Sequence, residues 1–166
     1  MQNLGDHEFM RIALKEAELA FKKDEVPVGA VVVYEGKVLA RGHNSPITRH
    51  DPSAHAEMLA LRQAAETIGN YRLAGADLYV TLEPCIMCAG AIIHARLARV
   101  IFGARDPKSG AVASVYEILT DERLNHQVVI TEGILKEECG KILSRFFRKK
   151  RIRADSMQNG EVPKWS

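Results

Sequence analysis

Cysteine is scarce in this 166-residue chain: there are three, an odd number for a disulfide framework. Long apolar runs are missing as well. The longest, VPVGAVVVY at 26–34, is about half of the roughly 20 residues that a membrane-crossing helix needs, so no such helix is expected. There is no internal repeat, low-complexity tract or linker before the polar ending ADSMQNGEVPKWS. One domain over 1–153 is expected, with a flexible polar tail at 154–166. The opening MQNLGDHEFM carries Asp6 and Glu8 where a secretory leader has a basic and then an apolar region. The expectation is a reduced, cytoplasmic protein. A domain of this size buries roughly 68 to 70% of its unfolded surface and needs no covalent staple.

A strong overall charge is also lacking, since the formal net charge is only +2. The balance hides an asymmetry, because RFFRKKRIR at 145–153 holds six Arg or Lys and no acid. Such a run suits the negative end of a helix dipole, and it equally suits a polyanion whose phosphates attract cations by counterion release.

Phe9, Ala13, Ala17 and Ala20 recur at helical spacing within 7–23, whereas PVGAVVVYEGKVLARG reads as two strands around a turn at Glu35-Gly36. A helix starting at Asp51-Pro52 or Ser53 is expected to run to about Ile68. The β-rich DLYVTL follows, and Pro84 opens another helix. RVIFGA (99–104) reads as a strand, SVYEILT as a short helix and QVVIT (127–131) as a strand. In the last helix Leu135, Cys139, Ile142, Leu143 and Phe146 recur at helical spacing, which gives Cys139 a core position. Strands alternating with helices after a hairpin predict an α/β fold: a three-layer α/β/α sandwich with a mixed central sheet of about five strands.

The chemistry sits in HAEM (55–58) and PCIMCAG (84–90). A C-x-x-C pair alone serves redox exchange and zinc binding equally well. A redox pair explains neither His55 nor Glu57. A structural zinc knot needs a fourth protein ligand from Cys139 or from His7, His43, His50, His94 or His126, none of which stands in a second ligand pair, and it gives Glu57 no task. Both motifs begin helices, and helix N-termini favour thiolates at Cys85 and Cys88. His55, Cys85 and Cys88 then make three ligands for Zn²⁺, one ion per subunit, with the fourth tetrahedral position left to water. Glu57 is placed to act as general base without joining the metal.

H-x-E followed by P-C-x-x-C is the signature of the zinc nucleobase deaminases. Through EVPVGAVVV, GHNSPI, DPSAHAEMLALRQAA, NYRL, LYVTLEPCIMCAGAIIHARL, VIFGARDPKSGA and GIL…C…L…FFR, the chain resembles the bacterial tRNA-specific adenosine deaminases over about 5 to 150. The resemblance implies a cytidine deaminase-like fold and hydrolysis of adenosine to inosine at the tRNA wobble position, chiefly in an arginine tRNA with anticodon ACG. It further implies a flipped adenine attacked at C6, Glu57 as proton shuttle, no organic cofactor and a homodimer. Its pattern places Asn44, Val28 and the backbone at Ala56 and Leu82 around the base. Asp106, Lys108 and Ser109 follow a strand on a loop suited to meet sugar or phosphate, although DPKSG is equally plain turn chemistry; Phe147 and Arg148 are the further residues expected to bind the substrate. Relatives acting on a free base or nucleoside, such as guanine or cytosine deaminases, share the same zinc centre and remain the alternative.

Overall fold

The computed structural model describes residues 5–158. Helix α1 (Asp6–Lys22) is followed by the hairpin β1 (Gly29–Tyr34) and β2 (Lys37–His43), the short α2 (Pro46–Arg49), α3 (Ala56–Ile68), β3 (Asp77–Leu82), α4 (Ile86–His94), β4 (Arg99–Ala104), β5 (Val129–Glu132) and α5 (Lys136–Gln158). The five strands lie in the order β2-β1-β3-β4-β5. β1 runs antiparallel to β2 and β3, while β3, β4 and β5 are parallel. Both residues of the hairpin turn take positive φ, Glu35 at 50° and Gly36 at 74°, the handedness that matches strand twist in a two-residue loop.

The pleat sends alternate residues to opposite faces. Val32, Val80, Val100 and Phe102 pack with α3 and α4 through Ala60, Ala64, Ala89 and Ile92. Val31, Val33, Tyr79 and Ile101 pack with α1 and α5 through Phe9, Met10, Ala13 and Cys139. These two cores make the expected three layers. Close approach of the layers depends on glycine. A Cβ at Gly29 would lie 1.9 Å from Ala13 O, and one at Gly42 would lie 2.5 Å from Ala56 O.

Four expectations need correction. SVYEILT is not helical; 105–128 is a loop of turns pinned by the buried Val112 and Leu119. Helix α3 begins at Ala56 instead of 51–53, because the Asp51 carboxylate takes the Ser53 N–H in a local turn and Asn44 Oδ1 takes the Ala56 N–H. Helix α4 likewise begins at Ile86, two residues after Pro84. Helix α5 continues to Gln158, so 154–158 are helical and only 159–166 of the expected tail lie outside the described residues. Ala154, Met157 and Gln158 are good helix formers that extend it into solvent. No described helix is long and apolar enough to cross a membrane.

Candidate active site and metal centre

His55 and Cys85 are the N-cap residues of α3 and α4. Each stands in extended backbone just before its helix, so the two helix starts converge on one point beyond the carboxyl end of β3. Cys88 follows on the first turn of α4. His55 Nδ1 is 3.6 Å from Cys85 Sγ and 3.6 Å from Cys88 Sγ. A tetrahedral zinc ion with ordinary Zn–N and Zn–S bonds would hold those atoms about 3.6 Å apart, so the donor set and spacing fit that ion. All three ligand atoms lie within 4.8 Å of one another, and among the described residues this is the one such group of three or more.

The electrostatics favour a cation. Sharing its hydrogen bond with Cys88, and close to His55, Cys85 is held down to about 4. Cys88 is pushed up by the same partner, by burial and by the Glu57 charge. A dication between the two sulfurs and the imidazole favours the thiolate form of both cysteines. His55 is raised by Cys85 against the opposing effect of burial.

Glu57, in the first turn of α3, is 4% exposed. Burial raises its carboxyl above the ordinary range, which suits a group that must hold and then surrender a proton. It shares a cavity of about 240 Å³ with Val26, Val28, Asn44, Pro46, His55, Leu82, Glu83, Cys85, Asp106 and Ser109. There is room for one heterocyclic base.

The other sequence-predicted residues divide. Val28, Asn44, Leu82, Asp106 and Ser109 line this cavity. Ala56 stands behind it, its N–H donated to Asn44 Oδ1 at 2.9 Å, while the Asn44 N–H bonds Val28 O. With its carbonyl engaged, the Asn44 side chain offers the cavity its amide N–H donors. Lys108 and Phe147 line an adjoining groove of about 790 Å³ with Arg105, Leu143, Lys150 and Arg151. Arg148 is exposed and lines neither. Pro46 and the buried acids Glu25 and Glu83 were not singled out by sequence. A Glu beside an apolar residue or proline, as in EVP and EPC, was the available signal.

The model of the MafB19-like deaminases matches residues 4–151. The chain belongs to that deaminase family. It is 50% identical over 146 residues to the tRNA-specific adenosine deaminase of Bacillus subtilis, covering 88% of this chain and 91% of the relative. The corresponding protein of Haemophilus influenzae is 49% identical, with 88% and 85% covered. A solved structure from a study of A-to-I editing by tRNA:A34 deaminases superposes with a TM-score of 0.80 at 47% identity, over 82% of this chain and 99% of that one. A guanine deaminase from Nitrosomonas europaea superposes with a TM-score of 0.76 at 22% identity, over 87% and 86%, and shares the deaminase fold.

Proposed function

We propose that this deaminase hydrolyses adenosine to inosine at the wobble position of tRNA, chiefly an arginine tRNA with anticodon ACG, in the cytoplasm. The observation that carries the reading is the buried Glu57 beside His55, Cys85 and Cys88 at the end of a base-sized cavity that adjoins a groove with Lys108, Phe147, Lys150 and Arg151. The likeness to tRNA-specific adenosine deaminases at half identity supplies the substrate class.

His55, Cys85 and Cys88 would hold Zn²⁺, one per subunit. Bound there, zinc supplies a Lewis acid that lowers the pKa of a water molecule. The chain's own groups do the rest. An anticodon-loop base is already single-stranded, so extruding it costs less than flipping from a duplex. Val28 and Leu82 offer apolar contact to the adenine, and the Asn44 amide donates to the nucleoside. As the C6–O bond forms, Glu57 takes one proton from water and delivers it to N1. It then carries the hydroxyl proton to the amino group, the C6–N6 bond breaks, and ammonia departs to leave inosine. Burial of Glu57 keeps bulk water from competing for that proton.

Lys108, Phe147 and those cations in the basic run of α5 that no described acid pairs, Arg148, Lys149 and Arg151, would meet the flanking nucleotides, by stacking and by phosphate attraction. Two copies are proposed to associate, which would cover exposed apolar side chains such as Ile86 and Tyr116. The deciding experiment incubates the zinc-loaded protein with an ACG anticodon stem-loop and, separately, with free adenosine, cytidine and guanine. Inosine in the stem-loop is expected. Product from a free base or nucleoside alone overturns the substrate assignment.

A further inference from the structure

Two carboxylates flank the cavity without a task in this chemistry. Glu25 is fully buried and Glu83 is 2% exposed. Every hydrogen bond that they accept comes from a neutral donor. Glu25 takes Ile47 N at 3.1 Å, Thr48 N at 2.8 Å and Thr48 Oγ1 at 2.8 Å. Glu83 takes Asp106 N at 3.1 Å, Val112 N at 3.1 Å, Ala113 N at 2.8 Å, Ser114 N at 3.0 Å and the Ser114 hydroxyl. A buried carboxylate is tolerated only when such donors replace its hydration.

The donors belong to the two irregular segments that wall the cavity. Glu25 fixes the short helix that begins with Pro46, and Glu83 fixes the loop that carries Asp106 and Ser109. Neither segment has a strand neighbour to take its amides. Around Glu83 three consecutive N–H groups converge on a single oxygen, Oε2, a backbone curl that needs an anion at its centre. The wrap is tight enough that a Cβ at Gly110 would lie 2.3 Å from Glu83 Cδ.

We propose that Glu25 and Glu83 are positioning residues for the substrate, each holding one wall of the base cavity through backbone amides that no strand neighbour takes. The chemistry stays with Glu57. A wall displaced by about 1 Å is enough to cost up to a hundred-fold in efficiency. Gln at either position keeps the shape but turns its carboxamide NH2, a donor, toward backbone N–H donors, so the segment lets go.

The proposal rests on the adenosine deaminase reading, so wild type is run beside every variant. Glu25→Gln and Glu83→Gln are assayed on the stem-loop for kcat and KM, for metal content, and by hydrogen exchange at Ile47 and Thr48 or at Asp106 and 112–114. Expected are faster exchange at those amides, unchanged metal, and kcat/KM reduced about ten-fold or more, chiefly through KM. The pH profile of kcat should keep its wild-type shape. Glu83→Gln and Ser109→Ala should combine less than additively, since Ser109 can serve the substrate only while its loop is held. Lost kcat with unchanged KM would assign Glu83 to the chemistry, lost metal would assign it to the metal centre, and full additivity would detach it from the wall; each result overturns the proposal. If the Gln variants do not fold, Thr48→Val and Ser114→Ala remove one donor each, and an unchanged KM in both overturns it equally. Wild type inactive on the stem-loop strikes the substrate reading, while exchange still tests the walls. Active wild type with unaltered variants strikes the walls alone.

Discussion

Within HAEM, His55 and Glu57 stand two residues apart yet face different tasks, and the difference can be measured. Glu57→Ala should retain near-normal metal, read by atomic absorption, and bind the stem-loop within a few-fold of wild type. Its turnover should fall by more than the about 10² to 10⁴ typical of one acid or base, because proton transfer enters both attack and departure. Loss of the metal would make Glu57 a ligand or a support instead. The cysteines give a second contrast. Cys88→Ala should lose both metal and activity, while Cys139→Ala should keep both, since Cys139 is fully buried on the α1/α5 side of the sheet and burial pushes its thiol up to about 12. These residues were legible because ligand spacing and a nearby acid are local patterns. The use of Asn44 was not. Its carbonyl is taken by Ala56 N, twelve residues on, a pairing that depends on where α3 comes to rest against the end of β2. Lys108 and Arg148 look alike in sequence, and only the course of the groove separates the one that lines it from the one that does not.

Helix α3 carries His55 at its start and lies against Gly42 of β2. A Cβ there would meet Ala56 O at 2.5 Å and Ala60 N at 2.9 Å, both backbone atoms that cannot swing aside. Gly42→Ala should therefore move the helix start, cost about 1 to 3 kcal/mol in denaturant titration and weaken metal binding. Gly140, inside α5 with nothing within 4 Å of its added Cβ, gives the opposite expectation: Gly140→Ala should stabilise by about 0.5 to 1 kcal/mol. Helix α1 is anchored at its own start by Asp6, which accepts hydrogen bonds from Arg99 of β4 at 2.8 and 3.1 Å and from Tyr79 of β3 at 2.7 Å. Hydrogen bonding to Arg99 lowers the Asp6 carboxyl below its ordinary 3.8 despite burial. A depressed folded value means that this support is complete above the unfolded value and fades as pH falls through the folded one. The stability gap between wild type and Asp6→Asn, about 1 to 2 kcal/mol at neutral pH, should accordingly shrink below pH 3.8. Equal gaps at neutral pH and well below that value would deny Asp6 its ion pair. Strong periodicity made α1, the hairpin and the parallel strands legible, because apolar spacing alone dictates them. The start of α3, the short α2 and the 105–128 loop were not, because side chains from distant segments compete there for backbone N–H groups: Asn44 at Ala56, Glu25 at Ile47 and Thr48, Glu83 at 112–114.

At the scale of the whole molecule, the basic run of α5 is not one surface. Arg145 pairs with Glu18 at 3.0 Å, and Lys150 and Arg153 meet Asp24 at 3.1 and 2.9 Å, tying the helix to α1 and the turn after it. Arg148, Lys149 and Arg151 make no ion pair with any described residue. Neutralising these three should reduce the slope of log K against log salt by roughly 0.7 to 0.9 for each phosphate that they neutralise in the wild type, at unchanged metal content. Neutralising Arg145, Lys150 and Arg153 should instead loosen α5 before it alters the salt slope, and an unchanged slope in the first variant would leave that face of the helix a solvated end. No disulfide joins the three cysteines, yet His55 and Cys85 meet across thirty residues. An ion gripping both closes that span as a reversible staple, and in the unfolded chain the same closure would cost about 3 to 4 kcal/mol of entropy on a loop-length scale. The melting temperature should then track free metal concentration, rising with added zinc and falling when a chelator strips the protein, so that thermal endurance reports the same occupancy on which turnover depends.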